Sequence, residues 1–373
     1  LAMKYERIFS DAYAALNVLP PTYEPRATGH ITQMIELMDQ LVESGAAYAP
    51  GNGDVYLEVR KLKRYLTLSR QNLDDLQPAQ DADERYKKDV RDFALWKAAK
   101  PGEPSWPTPW GPGRPGWHLE CSAMAHAYLG ETFDIHGGGL DLVFPHHENE
   151  IAQSEAAGYG FAKRWLHNAW VTQSGEKMSK SLGNALQVHE ILKSVRGIEL
   201  RWYLGGAHYR SMLEYSPEAL QEAATNFKRI ENFLHRATEL VGAKPTPRIN
   251  AEFTAAMNDD LAVPAALATI SENLRLGNQA ITDSDKAAVS KNADEIRGAL
   301  EILGCDPFDV AFASTGGSDL TEALDGVIKL ALAERASARE RKDFAASDAI
   351  RDGLAALGIT IEDTAQGPRW SIS

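Results

Sequence analysis

The sequence predicts an α/β domain with a parallel sheet, followed by a mainly helical region and a small C-terminal unit. After Trp117, short apolar runs such as 133–135 alternate with helical stretches such as 147–157, a pattern typical of α/β folds with parallel strands. At residue 216 a serine, a proline and a glutamate begin about 90 residues of helical periodicity. The Gly/Ser-rich segment 314–318 then predicts a linker before the last unit.

Composition limits the class of protein. The 373 residues include 39 Lys or Arg and 52 Asp or Glu, and the net charge of −13 argues against a protein that coats nucleic acid indiscriminately. Local RNA contacts remain open. No run approaches the ~20 apolar residues of a membrane span, and the first residues lack the layout of a secretory signal, so we expect a cytoplasmic protein that binds no membrane. Two cysteines, Cys121 and Cys305, are too few for a disulfide framework.

The first part of the chain combines a helix with short strands. Apolar residues at helical spacing predict a helix over 31–42, with Thr28 as its cap and Gly45 as its stop. Aromatic and β-branched residues predict strands at 54–59 and 93–96, within a small inserted region.

Two loops are predicted around the second of these strands. Residues 81–92 are rich in charge and predict a solvated loop. Residues 101–115 hold six prolines and two tryptophans, which is too much proline for a helix and predicts an ordered loop near a site.

These breaks predict the domain limits. The last unit should contain a helix to about Lys342, a helix over 344–357 ended by Gly358, and a short strand before Trp370. In order, we expect an α/β domain at 1–173 with an inserted region at about 48–100, a loop region at 174–215, a helical bundle at 216–306, a linker at 307–319 and a C-terminal domain at 320–373.

The string KMSKS at 177–181 is the strongest local motif. Lys177 and Lys180 lie three residues apart, with small hydroxyl residues between and after them and Gly175 just upstream. Such a cationic loop can neutralise a triphosphate while charge moves onto pyrophosphate. The alternative is a solvated basic loop, but the specificity of the string favours a function in catalysis.

A second group comprises Cys121, His146 and Glu150. His146 and Glu150 are four residues apart, so both side chains should leave one face of a helix. A thiolate, an imidazole and a carboxylate are acceptable zinc ligands, and three of them leave a position for a further group. On spacing alone, the sequence favours a buried free cysteine beside a solvated His/Glu pair over a metal site.

The run DIHGGGLD at 134–141 places glycines directly after a predicted strand. Gly138 and Gly139 would let the backbone approach a ligand, and Asp141 would then accept hydrogen bonds from ribose hydroxyls. A glycine-rich turn alone is weak support for a nucleotide site.

The last helices carry a stripe of basic residues that includes Arg339, with Phe344 just after it. By charge alone the stripe predicts a solvated helix face, and an RNA contact needs support from elsewhere.

Five motifs together resemble the cysteinyl-tRNA synthetases, a family of class I aminoacyl-tRNA synthetases. They match in order and spacing, over nearly the whole chain: GRPGWHLECSAM at 113–124, DIHGGGLDLVFPHHENE at 134–150, KMSKS at 177–181, AHYRS at 207–211 and MNDD at 257–260. The resemblance implies a Rossmann-type class I catalytic domain, an α-helical bundle and a small C-terminal anticodon-binding domain.

The resemblance also implies residue roles. Cys121, His146 and Glu150 would be zinc ligands, one ion per subunit, and Lys180 the main ATP-contacting lysine beside Lys177. The remaining implied positions fall into three groups: Gly138, Gly139 and Asp141 at the adenosine; Trp117 as a wall of the cysteine pocket, with His118, His136 and His147 near the thiol; and Arg339, Phe344, Asp348 and Asp363 at the anticodon. Phe344 stands where an enteric relative would carry tryptophan.

The implied activity is the condensation of L-cysteine with ATP and magnesium to cysteinyl adenylate, followed by transfer to tRNA(Cys) by a monomer. An apolar pocket would distinguish cysteine from serine by only ~1–3 kcal/mol. Zinc would supply the missing margin because it binds a thiolate far better than a hydroxyl.

One departure from the family concerns the start of the chain. The family's HIGH motif and first zinc cysteine lie in an N-terminal stretch that has no equivalent here, and the run TGHI at 28–31 is not in a suitable context. We therefore expect a missing N-terminal segment and no adenylation by this polypeptide alone.

Two other functions remain open. A mycothiol-pathway cysteine ligase would make the same adenylate, but Glu150 and the long C-terminal part oppose it. A non-catalytic RNA-binding relative would have no use for KMSKS.

Overall fold

The computed structural model describes residues 1–78, 84–178, 187–313, 317–364 and 367–372. Within these ranges the helices are α1 Ala2–Ala15, α2 Ile31–Glu43, α3 Trp117–Leu129, α4 Glu148–Ala156, α5 Val188–Ile191, α6 Gly197–Gly205, α7 Pro217–Val241, α8 Ala251–Asn258, α9 Val263–Thr282, α10 Lys286–Leu303, α11 Val310–Ala313, α12 Gly317–Glu340 and α13 Phe344–Ala356. The strands are β1 Ala47–Tyr48, β2 Val55–Leu57, β3 Phe93–Ala98, β4 Gly113–Pro115, β5 Phe133–Gly139, β6 Ala162–Asn168, β7 Val171–Gln173, β8 Glu176–Lys177, β9 Leu213–Glu214, β10 Ile359–Thr364 and β11 Gly367–Ile372.

The predicted helix over 31–42 is confirmed as α2, and its apolar stripe is buried against the sheet that follows. Gly45 has a φ of +72° just after the helix, the left-handed conformation that commonly ends a helix. The predicted cap at Thr28 is wrong. The chain forms a 3₁₀ turn at Ala27–Gly29, so that α2 begins only after His30.

The inserted region forms an antiparallel sheet in the order β1-β2-β3-β4. Both predicted strands of this region are confirmed, as β2 and β3. The prediction of a solvated loop is wrong at its last residue, Asp92, which is fully buried. Its carboxylate accepts hydrogen bonds from the Val59 amide at 3.0 Å and the Tyr48 hydroxyl at 2.7 Å, which replace the water that burial removes.

The predicted α/β architecture is confirmed by the parallel pair β5 and β6, which is joined through α4. A second parallel pair consists of β7, which lies just before KMSKS, and β9, which follows α6. Strand β8 pairs with β7 antiparallel. Helix α3 begins two residues after β4 ends and packs on α4. The carboxyl end of β5, the start of α4 and the start of α3 therefore meet at one place.

The predicted helical region is confirmed and begins at α7. The Ser216 hydroxyl accepts a hydrogen bond from the Ala219 amide at 3.1 Å, and Pro217 occupies the first turn. Helices α7, α9 and α10 bury a core that includes Phe227, Phe233 and Ile296. No helix in the described ranges is long and apolar enough to cross a membrane.

The last unit contains α12, α13 and the hairpin β10–β11, with a small core around Ile328, Leu332 and Ile359. The helix predicted over 344–357 is confirmed as α13. Of the predicted Gly/Ser linker, residues 314–316 lie outside the described residues and α12 already begins at Gly317.

Arg201 on α6 connects the first part of the chain to the helical bundle. Its Nη1 donates to the carbonyl oxygens of Leu16 at 3.0 Å and Asn17 at 2.9 Å, and its Nε donates to that of Leu303 at 3.1 Å. One guanidinium group therefore satisfies the ends of α1 and α10 together.

Candidate active site

Helices α3 and α4 bring the three predicted zinc ligands together. Cys121 lies in the first half of α3, His146 in the turn before α4, and Glu150 in the first turn of α4. One ligand atom from each lies within 4.8 Å of the others. The prediction from spacing that His146 and Glu150 share one face is therefore confirmed. Cys121 joins them as the family resemblance implies, and the role of all three as ligands stays a prediction.

Glu150 is the most buried member of this cluster, with no exposed surface. Its Oε1 lies 3.3 Å from His146 Nε2 and its Oε2 lies 3.1 Å from His136 Nε2. Burial raises the pKa of this carboxyl group, but contacts with the two histidines outweigh burial and bring the pKa to about 2. Neither carboxylate oxygen accepts a hydrogen bond of good geometry from the described residues.

The pKa of the Cys121 thiol is shifted in the opposite direction from that of Glu150. Burial, followed by the nearby carboxylates of Glu150 and Glu120, raises its pKa to about 12. A cation between these groups would reverse this effect, because a metal-bound thiol loses its proton. This donor set fits zinc, because it combines a sulfur, an imidazole nitrogen and a carboxylate that lacks well-aligned hydrogen bonds.

A second set of possible ligands shares Glu150. The side chains of His136, at the centre of β5, and His147 also place ligand atoms within 4.8 Å of the Glu150 carboxylate. Burial lowers the pKa of His147 to about 4, and its Nδ1 lies 2.8 Å from Nε2 of His167 on β6. His147 is therefore neutral at physiological pH.

The other two predicted pocket residues lie on the first turn of α3. The Trp117 indole stacks on the His146 ring with 4.5 Å between centroids, and 56% of Trp117 is exposed. His118 is buried, with Nδ1 3.0 Å from His146 Nδ1. The four predicted substrate residues thus surround the possible metal site, and Trp117 faces open space.

The glycines of β5 fit closely against the site. A Cβ atom on Gly138 would lie 2.8 Å from Cε1 of His147, and one on Gly139 would lie 2.6 Å from Oδ1 of Asp141. The sequence predicted that the glycines admit a ligand. In the structure their missing side chains also make room for His147 and Asp141.

Asp141 follows β5 and contacts Lys177, the first lysine of KMSKS. Their side chains lie 2.6 Å apart, and the Trp170 indole donates to the same carboxylate at 3.1 Å. The hydrogen bond from Lys177 is the main reason that the pKa of Asp141 is lowered. Lys180 lies outside the described residues.

The predicted anticodon residues lie on the last unit. Arg339 is exposed near the end of α12, and Phe344 is 63% exposed at the start of α13. Asp348 is exposed and forms an ion pair with Arg351 at 3.3 Å. Asp363 lies on β10, and its side chain is outside the described residues.

Sequence reasoning missed three aromatic residues beside the site. Trp165 and His167 alternate along β6, and their rings stack with 5.8 Å between centroids. Trp170 follows on the same segment and binds Asp141. The period-two spacing was a usable signal, but the pairing of β6 with the glycine strand, which places His167 opposite Gly138, is not visible locally.

Comparison with known proteins gives the same order of parts. Residues 1–225 match the family "tRNA synthetases class I (C) catalytic domain". Residues 252–305 match the DALR domain, and residues 321–370 match the "Cysteinyl-tRNA ligase anticodon binding domain".

Curated relatives decide the family. The chain is 58% identical over 371 residues to the cysteine–tRNA ligase of Streptomyces griseus, with 98% of this chain and 79% of that relative covered. The chain belongs to the cysteine–tRNA ligase family. It is also 58% identical over 372 residues to the enzyme of that name from Streptomyces coelicolor, with 98% of this chain covered, but it spans only 60% of the length of that relative.

Solved structures support the fold of this family. The methionyl-tRNA synthetase of Mycobacterium tuberculosis, in complex with methionyl-adenylate, superposes with a TM-score of 0.54 at 14% identity, over 86% of this chain and 80% of that one. A putative arginyl-tRNA synthetase from Campylobacter jejuni gives 0.53 at 14% identity, over 81% of this chain and 67% of that one. These likenesses support the predicted fold class, which is confirmed together with the family matches. The family matches and the curated relatives confirm the resemblance to class I synthetases.

Proposed function

We propose that the full-length protein is a cysteine–tRNA ligase, which activates L-cysteine with ATP and magnesium and transfers the cysteinyl group to tRNA(Cys). The observation that carries this proposal is the meeting of Cys121, His146 and Glu150 within 4.8 Å, next to a partly exposed tryptophan. We also propose that the protein is a cytoplasmic monomer and that its domains have the limits predicted from the sequence.

The amino acid pocket lies between α3 and the carboxyl end of β5. Trp117 is the wall against which the substrate packs, while His118, His136 and His147 surround the substrate thiol. Zinc, when bound by Cys121, His146 and Glu150, would supply a soft Lewis acid that prefers sulfur to oxygen. Because His147 is neutral, it can accept or donate a hydrogen bond without adding positive charge.

The nucleotide side of the site consists of the β5 glycines, Asp141 and the lysines of KMSKS. In-line attack of a carboxylate on the α-phosphate needs positioning and charge neutralisation rather than covalent help from the protein. Lys177 and Lys180 supply positive charge, Asp141 accepts from the ribose, and Gly138 and Gly139 let the backbone approach the adenosine. The ion pair between Asp141 and Lys177 connects both parts of this site.

The last unit would bind the anticodon through Arg339, Phe344, Asp348 and Asp363. The exposure of Phe344 supports a stacking contact with a base, since an aromatic side chain that is 63% exposed is available for this contact. The match of residues 321–370 to an anticodon-binding family favours a tRNA acceptor over the amino-sugar of a mycothiol-pathway ligase.

The proposal is tested by zinc content and by ATP–pyrophosphate exchange with cysteine and serine, in the full-length protein. Cys121→Ser and Glu150→Gln should each lower zinc content and the preference for cysteine. Cys305→Ser is the control for the cysteine change, because Cys305 is the other cysteine of the chain and packs in the core of the helical bundle. Unchanged zinc content and an unchanged preference in the first two variants would contradict the proposal.

The acceptor is tested separately. Transfer of cysteine to tRNA(Cys), and not to a glucosaminyl-inositol, is the expected result. Transfer to the sugar alone would assign the protein to the mycothiol pathway, and absence of cysteine activation would favour a non-catalytic RNA-binding protein.

A further inference from the structure

Residues 62–70 of the inserted region contact the first two residues of α4. We name residues 62–70 the bracing segment. The Tyr65 hydroxyl donates to Asn149 Oδ1 at 2.7 Å, and the Ser69 amide donates to Glu148 Oε2 at 2.7 Å. Asn149 and Glu148 are 2% and 1% exposed and directly precede Glu150. Two consecutive residues of the ligand helix are therefore held by one segment that is distant in sequence.

Tyr65 also reaches the site through a second route. Its ring stacks with the Phe93 ring, with 6.5 Å between centroids. The Phe93 and buried His118 rings meet edge to face, with 5.5 Å between centroids and 89° between planes. His118 in turn contacts His146, with 3.0 Å between the two Nδ1 atoms. Tyr65 is thus connected to His146 through packed rings and to the turn that carries Glu150 through a hydrogen bond.

The bracing segment is itself fixed in place. Leu66 has a φ of +73°, a left-handed conformation that is costly for a leucine, and its side chain is only 5% exposed. Such a conformation persists only where the surrounding packing enforces it. Glu148 depends on the segment as well, because its Oε1 is buried and has no hydrogen-bond partner among the described residues. The Ser69 amide is therefore an important part of its solvation.

We propose that Tyr65 is a positioning residue that holds Glu150 and His146 in the geometry that the metal and cysteine require. This inference rests on the proposed function, since it assigns to the inserted region a part in metal affinity and in cysteine selection. Groups that orient metal ligands from behind commonly change metal affinity when they are removed. Tyr65 does not contact the ligands directly but acts through Asn149 and through the Phe93 and His118 rings. We therefore expect that removing its hydroxyl changes metal affinity by about the free energy of one hydrogen bond.

The test is Tyr65→Phe in the full-length protein, because this change keeps the ring and its packing and removes only the hydroxyl. Zinc affinity, measured by competition with a chelator, should fall roughly threefold to tenfold, as expected for one hydrogen bond. The KM for cysteine should rise in the same proportion, and the KM for ATP should stay unchanged.

Tyr48→Phe is the matched control. Tyr48 lies in the same inserted region, and its hydroxyl donates to Asp92 at 2.7 Å and accepts from the Lys88 amide at 2.7 Å, so this change removes two hydrogen bonds that do not involve α4. This variant should lower the unfolding temperature without changing zinc affinity. A zinc affinity that is lowered equally in both variants would mean that Tyr65 contributes to general stability only, and would overturn the proposal.

A double variant tests the route through Asn149. Combining Tyr65→Phe with Asn149→Ala should weaken zinc binding little more than Asn149→Ala alone, because both changes remove the same bond. Fully additive effects would overturn the proposed route. If the wild-type protein neither binds zinc nor activates cysteine, the proposed function itself fails. If the wild type does both and Tyr65→Phe matches it in zinc affinity, only the role of Tyr65 fails.

Discussion

Lys177 Nζ lies 2.6 Å from Asp141 Oδ2, so the first lysine of KMSKS is paired with the carboxylate that follows the glycine strand. The Trp170 indole binds the other oxygen of that carboxylate at 3.1 Å, and the ammonium group lies 5.0 Å from the indole centroid. In the proposed reaction, phosphate oxygens would compete with Asp141 for this ammonium group. Lys177 would therefore have to leave Asp141 in order to contact a nucleotide.

Asp141→Asn should raise the KM for ATP about tenfold, because it removes the charged acceptor of the ribose hydroxyls in the proposed nucleotide site. Pyrophosphate exchange at varied ATP concentration measures the effect. Asp134→Asn is the control, since Asp134 lies on the same strand and pairs with Lys163 at 3.0 Å on the exposed side. Equal KM values in both variants would remove Asp141 from the nucleotide site.

Gly138→Ala should damage the pocket, because the added Cβ would meet His147 Cε1 at 2.8 Å. We expect a loss of about 1–3 kcal/mol in the free energy of unfolding and a lower kcat/KM for cysteine. Gly137→Ala should be mild, since its Cβ would make only an ordinary contact at 3.4 Å with the Leu166 carbonyl. Denaturant unfolding measures the stability of both variants, and pyrophosphate exchange measures their activity. A Gly138→Ala protein as stable and active as Gly137→Ala would contradict the close contact with His147.

The metal-free protein should lose stability as the pH falls from about 6.5 to about 4. Burial lowers the pKa of His147 to about 4 in the folded state, whereas an unfolded histidine takes up its proton near its ordinary pKa of 6.5. The unfolded chain therefore binds more protons throughout this window. His147→Gln should flatten the pH dependence of urea unfolding. His189→Gln, at a side chain that is 62% exposed, should leave it as in the wild type, and the same result for both variants would count against buried His147 as the cause.

Phe344→Ala should weaken tRNA binding without affecting cysteine activation. A base stacked on an aromatic ring contributes about 1–3 kcal/mol, so the KM for tRNA(Cys) should rise roughly fivefold to a hundredfold. Leu357→Ala is the control, because Leu357 is 75% exposed on the same unit and has no ring. Aminoacylation at varied tRNA concentration gives the comparison. A smaller effect for Phe344→Ala than for Leu357→Ala would move the RNA contact elsewhere.

Local signals in the sequence were sufficient where the structure depends on neighbours along the chain. Ser216 and Pro217 start α7 as predicted, because a cap needs only the next three residues. The meeting of His146 with Glu150 is likewise a property of one helical turn.

Contacts between distant segments were beyond the reach of the sequence pattern. Asp92 was expected in solvent because charge usually marks a surface, yet Val59 and Tyr48 supply donors that make its burial favourable. The position of His167 beside His147 depends on the parallel register of β5 and β6, which composition does not encode. The hydrogen bond from Tyr65 to Asn149, 84 residues away, has no local signature either.

The three carbonyl groups held by Arg201 restrict how this molecule can be divided. A fragment that stops at residue 225, where the catalytic family match ends, would remove Leu303 and leave the guanidinium with only the carbonyls of Leu16 and Asn17. Lysine could not replace it, because a single ammonium group lacks the planar fork that reaches two helix ends at once. Truncations meant to isolate the part of the chain that matches the catalytic family should therefore keep α10, because they would otherwise expose the Arg201 guanidinium without its Leu303 acceptor.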